Sequence, residues 1–331
     1  MSVPRTATLA LTAVVLLLGT AVSACGGGSH TDPAGPGTSS THTTTTSTST
    51  LPGTGRPQVT IGDKNFTEQF VLGELYSQAL EAQGYTVMVN RNIGPSDVTY
   101  QALQSKRLDM YPEYLSTWDS AIAGDKRSFH GVRHAYLAGQ HYALAHGLEL
   151  LDPTPASSTG AIGVTNAYAL DHDLRSLGDL RRVAPEMTLG APPQFQTSAT
   201  GLPLLQQVYG FTPAAFKALD VGAQYQALDQ GMVQSANVGT TDGQLATGHY
   251  TLLRDPRHVF GWGNIVPVVA ARVLTIEGPA FTDTIDRVSA LLTTNSLRRL
   301  NAAVDVGNQD PKLVAKQFLQ QHGLVPAGET P

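Results

Sequence analysis

His130, His134 and His141 stand four and seven positions apart, a spacing that could turn three imidazoles to one helical face, as a metal site would need. No nearby acidic residue completes such a set, and no HExxH arrangement is present, so no bound metal is expected. The chain has no nucleophile elbow and no phosphate-cradling glycine loop. Gly26, Gly27 and Gly28 lie in a low-complexity stretch, away from any strand-to-helix turn. No catalytic residue and no cofactor is therefore expected, and the chemistry to look for is binding.

Cys25 is the single cysteine and cannot form an internal disulfide. Residues 1–24 before it have the layout of a secretory signal: Arg5, an apolar stretch from Leu9 to Leu18, then small residues. That stretch falls short of the ~20 residues needed to span a bilayer as a helix. Val22-Ser23-Ala24-Cys25 resembles the bacterial lipobox, whose cysteine receives diacylglycerol, so Cys25 is the expected lipidation site and the lipid the only membrane contact. From Cys25 to residue 57 the chain is mostly Gly, Ser, Thr and Pro, and every residue from Thr43 to Thr50 carries a hydroxyl. Such a composition has little apolar surface to bury and predicts a disordered tether, with O-glycosylation an option on its hydroxyls.

The part expected to fold runs from 58 to 331, which is 331 − 57 = 274 residues, enough for two lobes of ordinary size. With 21 basic and 26 acidic residues interspersed, a net charge of −5 argues against a nucleic-acid partner. Val59-Thr60-Ile61-Gly62 reads as a strand. Asn65 then stands where it could cap a helix, with Glu68 reciprocating, and Phe70, Val71, Leu75 and Ala79 follow at helical spacing. The helix should stop at Gly84, and Tyr85 to Val89 reads as the next strand, giving a parallel α/β unit. Tyr100-Gln101-Ala102-Leu103 recurs as Tyr225-Gln226-Ala227-Leu228, each copy on a helix, turn, strand exit. That repetition predicts two related lobes, with the loops 111–117 and 239–243 facing each other across a cleft.

Several motifs together resemble the osmoprotectant-binding proteins of ABC importers, receptors for glycine betaine, choline, carnitine and similar quaternary ammonium solutes. They are Gly62-Asp63-Lys64-Asn65-Phe66-Thr67-Glu68-Gln69, Leu72-Gly73-Glu74-Leu75, Tyr111-Pro112-Glu113-Tyr114, Leu177-Gly178-Asp179-Leu180, Pro267-Val268-Val269, and Asp305-Val306 with Asp310-Pro311 and Val314-Ala315. The resemblance implies an α/β, type II periplasmic-binding-protein fold, with two α/β lobes and a ligand cleft between them. Residues 58–153 plus 258–331 would form lobe 1 and 154–257 lobe 2. It also implies a monomer on the outer face of the cytoplasmic membrane, a small-molecule solute, and a partner ABC permease with its cytoplasmic ATPase. A non-transport sensing or adhesive surface lipoprotein on the same fold is the second reading.

A quaternary ammonium has no N–H to donate, so aromatic faces must hold it, each contributing ~0.5–2 kcal/mol. The resemblance carries over Lys64 from the opening motif, Tyr114 as the first cage tyrosine and Thr117 as the hydroxyl after it. It also places Gly160, Gly239 and Gly263 where the family has tyrosines, and Ser198 where it has a carboxylate-binding arginine. The expectation is a wider, less charged cleft for a bulkier, planar or polyhydroxylated solute. Tyr114, Phe195, Phe260 and Trp262 would supply stacking surface, and Gln194, Gln196, Ser198, Thr240 and Asn264 hydrogen bonds. Tyr111 is expected to be structural.

Overall fold

The protein is described from a computed structural model covering residues 50–327. Cys25, the signal segment, and the tether up to residue 49 lie outside the described residues. Among the described residues, ten short runs form strands: β1 (Val59–Gly62), β2 (Val87–Asn90), β3 (Met110–Tyr114), β4 (Leu148–Leu150), β5 (Gly160–Thr165), β6 (Thr188–Ala191), β7 (Ala215–Ala218), β8 (Ser235–Gly239), β9 (Tyr250–Leu252) and β10 (Ile265–Ala270). They assemble into two five-stranded sheets, ordered β2-β1-β3-β10-β4 and β7-β6-β8-β5-β9.

The two sheets share one topology. In each, three strands run parallel (β2, β1, β3; β7, β6, β8), and the next strand, β10 or β5, is antiparallel to both its neighbours. The repeated Tyr-Gln-Ala-Leu sits on the helices Ser96–Gln104 and Gln224–Asp229, which precede the equivalent strands β3 and β8. The chain leaves the first sheet after Leu150 and enters the second at Gly160. It returns between Leu252 and Ile265, and the two crossings touch through a bridge between Ser157 and Asn264.

Every residue of β3 and β10 is buried, as expected of strands covered on both faces by helices. The helix Thr67–Ala82 is buried almost all round because the helices Pro279–Leu291, Thr294–Asp305 and Pro311–Gln321 enclose it. Gly73 permits its closest approach, since a Cβ there would lie 2.0 Å from the Asp63 carboxylate. In the second lobe one apolar cluster, including Ile162 and Leu189, covers one face of the sheet, and another, including Ala161 and Val238, covers the opposite face.

Two local expectations need correction. Asn65 does not cap the first helix: Phe66 occupies the N-cap, with no side-chain bond, and Glu68 turns inward. The chain is also already docked ahead of residue 58, because the Gly53 amide donates to the Gln83 carbonyl (2.9 Å) and Arg56 to the Ile276 carbonyl (2.5 Å).

Candidate functional site

Tyr114 closes β3 at the strand's carboxyl end, where open α/β sheets present their ligands. Its hydroxyl donates to Glu68 Oε1 (2.8 Å) and accepts from the Gln69 amide (3.2 Å). Burial, then the Glu68 charge, push the hydroxyl's pKa well above the usual tyrosine range, so it remains a donor. Glu68 Oε2 accepts from Asn301 Nδ2 (2.7 Å), and the same amide donates to the Thr241 carbonyl (2.8 Å) in the opposite lobe. Glu68 is thereby held as a buried carboxylate by donors from two other elements, which is why it does not serve as a cap.

The facing wall is built on the loop after β8. Asp242 Oδ2 accepts from the Gly239 amide (2.8 Å) and from the Tyr225 hydroxyl (2.9 Å), and desolvation raises its pKa above the normal carboxylate value. Tyr225 meets Tyr250 edge-on at 4.8 Å, which fixes its ring. Gly243 lets this loop touch the first lobe: a Cβ there would lie 2.7 Å from the Ala302 backbone. Arg298 Nε adds a bond to the Thr240 carbonyl (2.7 Å).

Between these walls lies a cleft of about 750 Å³. Four aromatic side chains line it, Phe66, Tyr114, Tyr225 and Phe260, together with the carboxylates of Glu68, Asp242 and Asp305. Among the described residues that line it there is no Lys, Arg or His. Phe66 is 42% exposed and lies roughly parallel to Tyr114, with ring centroids 6.1 Å apart. A low-dielectric groove with aromatic faces and net negative charge attracts cations.

Residues 57–321 match the family described as the substrate binding domain of the ABC-type glycine betaine transport system. The chain belongs to this family. A glycine-betaine-binding protein of Pseudomonas aeruginosa is 31% identical over 283 residues, 81% of this chain and 89% of that protein. The glycine betaine-binding protein YehZ of Escherichia coli is 30% identical, over 83% of this chain and 93% of its own length. A crystal structure of a glycine betaine/carnitine/choline ABC transporter protein superposes with a TM-score of 0.75 at 21% identity, covering 80% of this chain and 99% of that one. The fold is thus the two-lobed type II periplasmic-binding-protein fold. The chain is the substrate-binding protein of an osmoprotectant ABC importer: a receptor and not an enzyme, which takes up a small solute outside the cytoplasm and works with an ABC permease.

In this binding protein the residues singled out from sequence part company. Tyr114 and Thr117 line the cleft. Lys64 does not: it is 3% exposed, ion-paired with Glu113, hydrogen-bonded to Ser96 Oγ (3.2 Å), and set against the Tyr114 ring, 4.5 Å from its centroid. Burial pushes its ammonium below the usual lysine range, and the Glu113 carboxylate works against that. Phe195 packs on the second lobe's core and Ser198 bonds Thr200 (3.2 Å), neither of them on the cleft. Gln194 and Gln196 are exposed outside it.

Thr240, Trp262 and Asn264 line a separate recess of about 510 Å³ beside the crossings. Thr240 Oγ1 donates to the Ser157 carbonyl (2.8 Å), Trp262 Nε1 to Phe129 (3.0 Å), and Asn264 Nδ2 to Thr154 (2.9 Å).

Of the three glycines, Gly160 and Gly239 border the cleft, but the space above them is taken. A Cβ on Gly160 would meet the Phe260 ring at 3.0 Å, and one on Gly239 would lie 2.3 Å from Asp242 Oδ1. Gly263 does not border it, because a Cβ there would sit 2.1 Å from the Ser158 carbonyl, leaving no room for a side chain. The cleft is also richer in charge than expected, since Glu68, Asp242 and Asp305 all reach it. His134 and His141 are exposed on the helix Val132–Ala145 and His130 precedes it. No cluster of metal-ligating side chains occurs among the described residues.

Proposed function

We propose that this receptor captures a quaternary ammonium cation that lacks the carboxylate of glycine betaine, held by Phe66, Tyr114, Tyr225 and Phe260 and oriented by Thr117. The observation that carries the reading is a cleft with aromatic faces and carboxylates from both lobes and no basic side chain on its lining. Glycine betaine has a carboxylate that needs a positive partner, and the one lysine of the opening motif is committed to Glu113. A cation lacking that carboxylate avoids the repulsion of three acids. Glycines at 160 and 239 leave the cage with fewer tyrosines, and Phe260 and Asp242 occupy the space above them.

Residues 58–153 with 258–331, and 154–257, would be the lobes that close on the solute, which then selects the state that the permease recognises. The receptor would act as a monomer, hang from the membrane by lipid on Cys25, and serve a permease driven by a cytoplasmic ATPase. Calorimetry with choline and glycine betaine tests the site: choline should bind more tightly, and the reverse order would refute the reading. Replacement Cys25→Ser should release the protein from membranes, and retention of the variant there would disprove the anchor.

A further inference from the structure

The main cleft and the smaller recess share three residues, Thr159, Gly160 and Phe260, and only Phe260 among them carries a large side chain. Its ring lies over Gly160, so it forms the wall between the two spaces. The wall stands on a tight turn. His258 has a left-handed backbone (φ 51°), as does Gly261 (φ 71°), and the Asp255 carboxylate accepts from the Phe260 amide (3.1 Å) and from the Tyr209 hydroxyl (2.5 Å). A non-glycine residue in that region costs local strain, which the bonds to Asp255 offset. Beyond the wall, Trp262 is stacked on His258 with ring centroids 4.1 Å apart, and Val132, Leu252 and Leu253 complete a largely apolar surface.

We infer that the smaller recess is an accessory subsite for a flat apolar arm of the bound cation, and that Phe260 is the partition that sets how long an arm is admitted. This rests on the cation reading of the main cleft, which would hold the ammonium head while the arm passes over Gly160 towards Trp262. Gly160 makes the Phe260 ring the only side chain standing in that route, because a Cβ at 160 would lie 3.0 Å from the ring and add to the wall.

The test compares choline with 4-phenylbutyltrimethylammonium on the full chain, by calorimetry, in wild type, Phe260→Ala, Phe260→Leu and Phe260→Ala combined with Trp262→Ala. The quantity read is the affinity for the long cation relative to choline, so a general weakening from losing an aromatic face cancels. The ratio should rise about tenfold in Phe260→Ala, less in Phe260→Leu, and fall back in the double variant, as burial of a phenyl arm on Trp262 requires. An unchanged ratio in both folded single variants overturns the partition. A ratio that stays high in the double variant overturns the arm subsite. Failure of wild type to bind either cation, with glycine betaine still bound, would instead remove the cation reading on which the subsite depends and the subsite with it.

Discussion

Asp63 follows β1 directly and is fully buried, and neither carboxylate oxygen has a hydrogen-bond partner. Desolvation raises its pKa to about 8, opposed by Arg91 and aided by Glu74. Between about pH 4, where an unfolded aspartate titrates, and pH 8, the folded chain holds a proton that the unfolded chain has lost. Stability should therefore fall as pH rises through that window, by about 1.4 kcal/mol per pH unit at most. Urea denaturation of Asp63→Asn at several pH values should show that slope removed and a variant more stable than wild type near pH 8. Lys64 makes the opposite kind of prediction. Lys64→Met leaves Glu113 buried without its partner and should cost about 3–5 kcal/mol, whereas adding Glu113→Gln should recover most of it, because a glutamine oxygen can still accept from the Tyr114 amide. If the single and double variants were equally unstable by denaturant titration, the pair would not be what holds the base of Tyr114.

The helix Thr67–Ala82 and strand β1 meet at Gly73, where the carboxylate of Asp63 fills the space of a side chain. Gly73→Ala should therefore destabilise by about 1–3 kcal/mol through overpacking, despite alanine's better helix propensity. A melting temperature at or above that of wild type would show that Asp63 can move aside. Element order was readable at this scale: the strand run at Val59, the helical spacing after it and the repeated Tyr-Gln-Ala-Leu all lie on the elements they foretold. They were readable because the two sheets have one topology, so equivalent strands need similar approaches. The site was only half readable. Tyr114 and Thr117 are fixed by the end of β3, which a local motif marks. Glu68 looked like a capping residue because its true partner Asn301 lies 233 positions away. Asp242 and Tyr225 fell within segments recognised as important, a loop facing the cleft and the second repeat, yet their mutual bond could not be read from one sequence. Trp262 lies off the main cleft for a physical reason: its flanking glycines mark an irregular crossing, and the ring there packs on His258 and lines the smaller recess.

Across the molecule, the two lobes meet where the loop after β8 rests on the helix Thr294–Asp305, through Gly243, Asn301 and Arg298. Asn301 also bonds Glu68, which holds Tyr114, so the contact between lobes and the wall of the cleft belong to one network. Gly243→Ala should push the loop off that helix and weaken solute binding roughly tenfold, with a smaller change in thermal stability, because it disturbs closure more than either core. Calorimetry alongside thermal denaturation separates the two, and a large stability loss with unaltered affinity would contradict it. The crossings have a further consequence for the newborn chain. The second sheet is complete once β9 has emerged, from one unbroken stretch of polypeptide, but the first must wait for β10, its fifth strand to be made, which arrives only after the other half and fills the place between β3 and β4. Assembly should thus run from the middle outwards: the inner half matures first, and the outer half, holding an unfilled slot beside β3, stays open to misassociation until its last strand arrives.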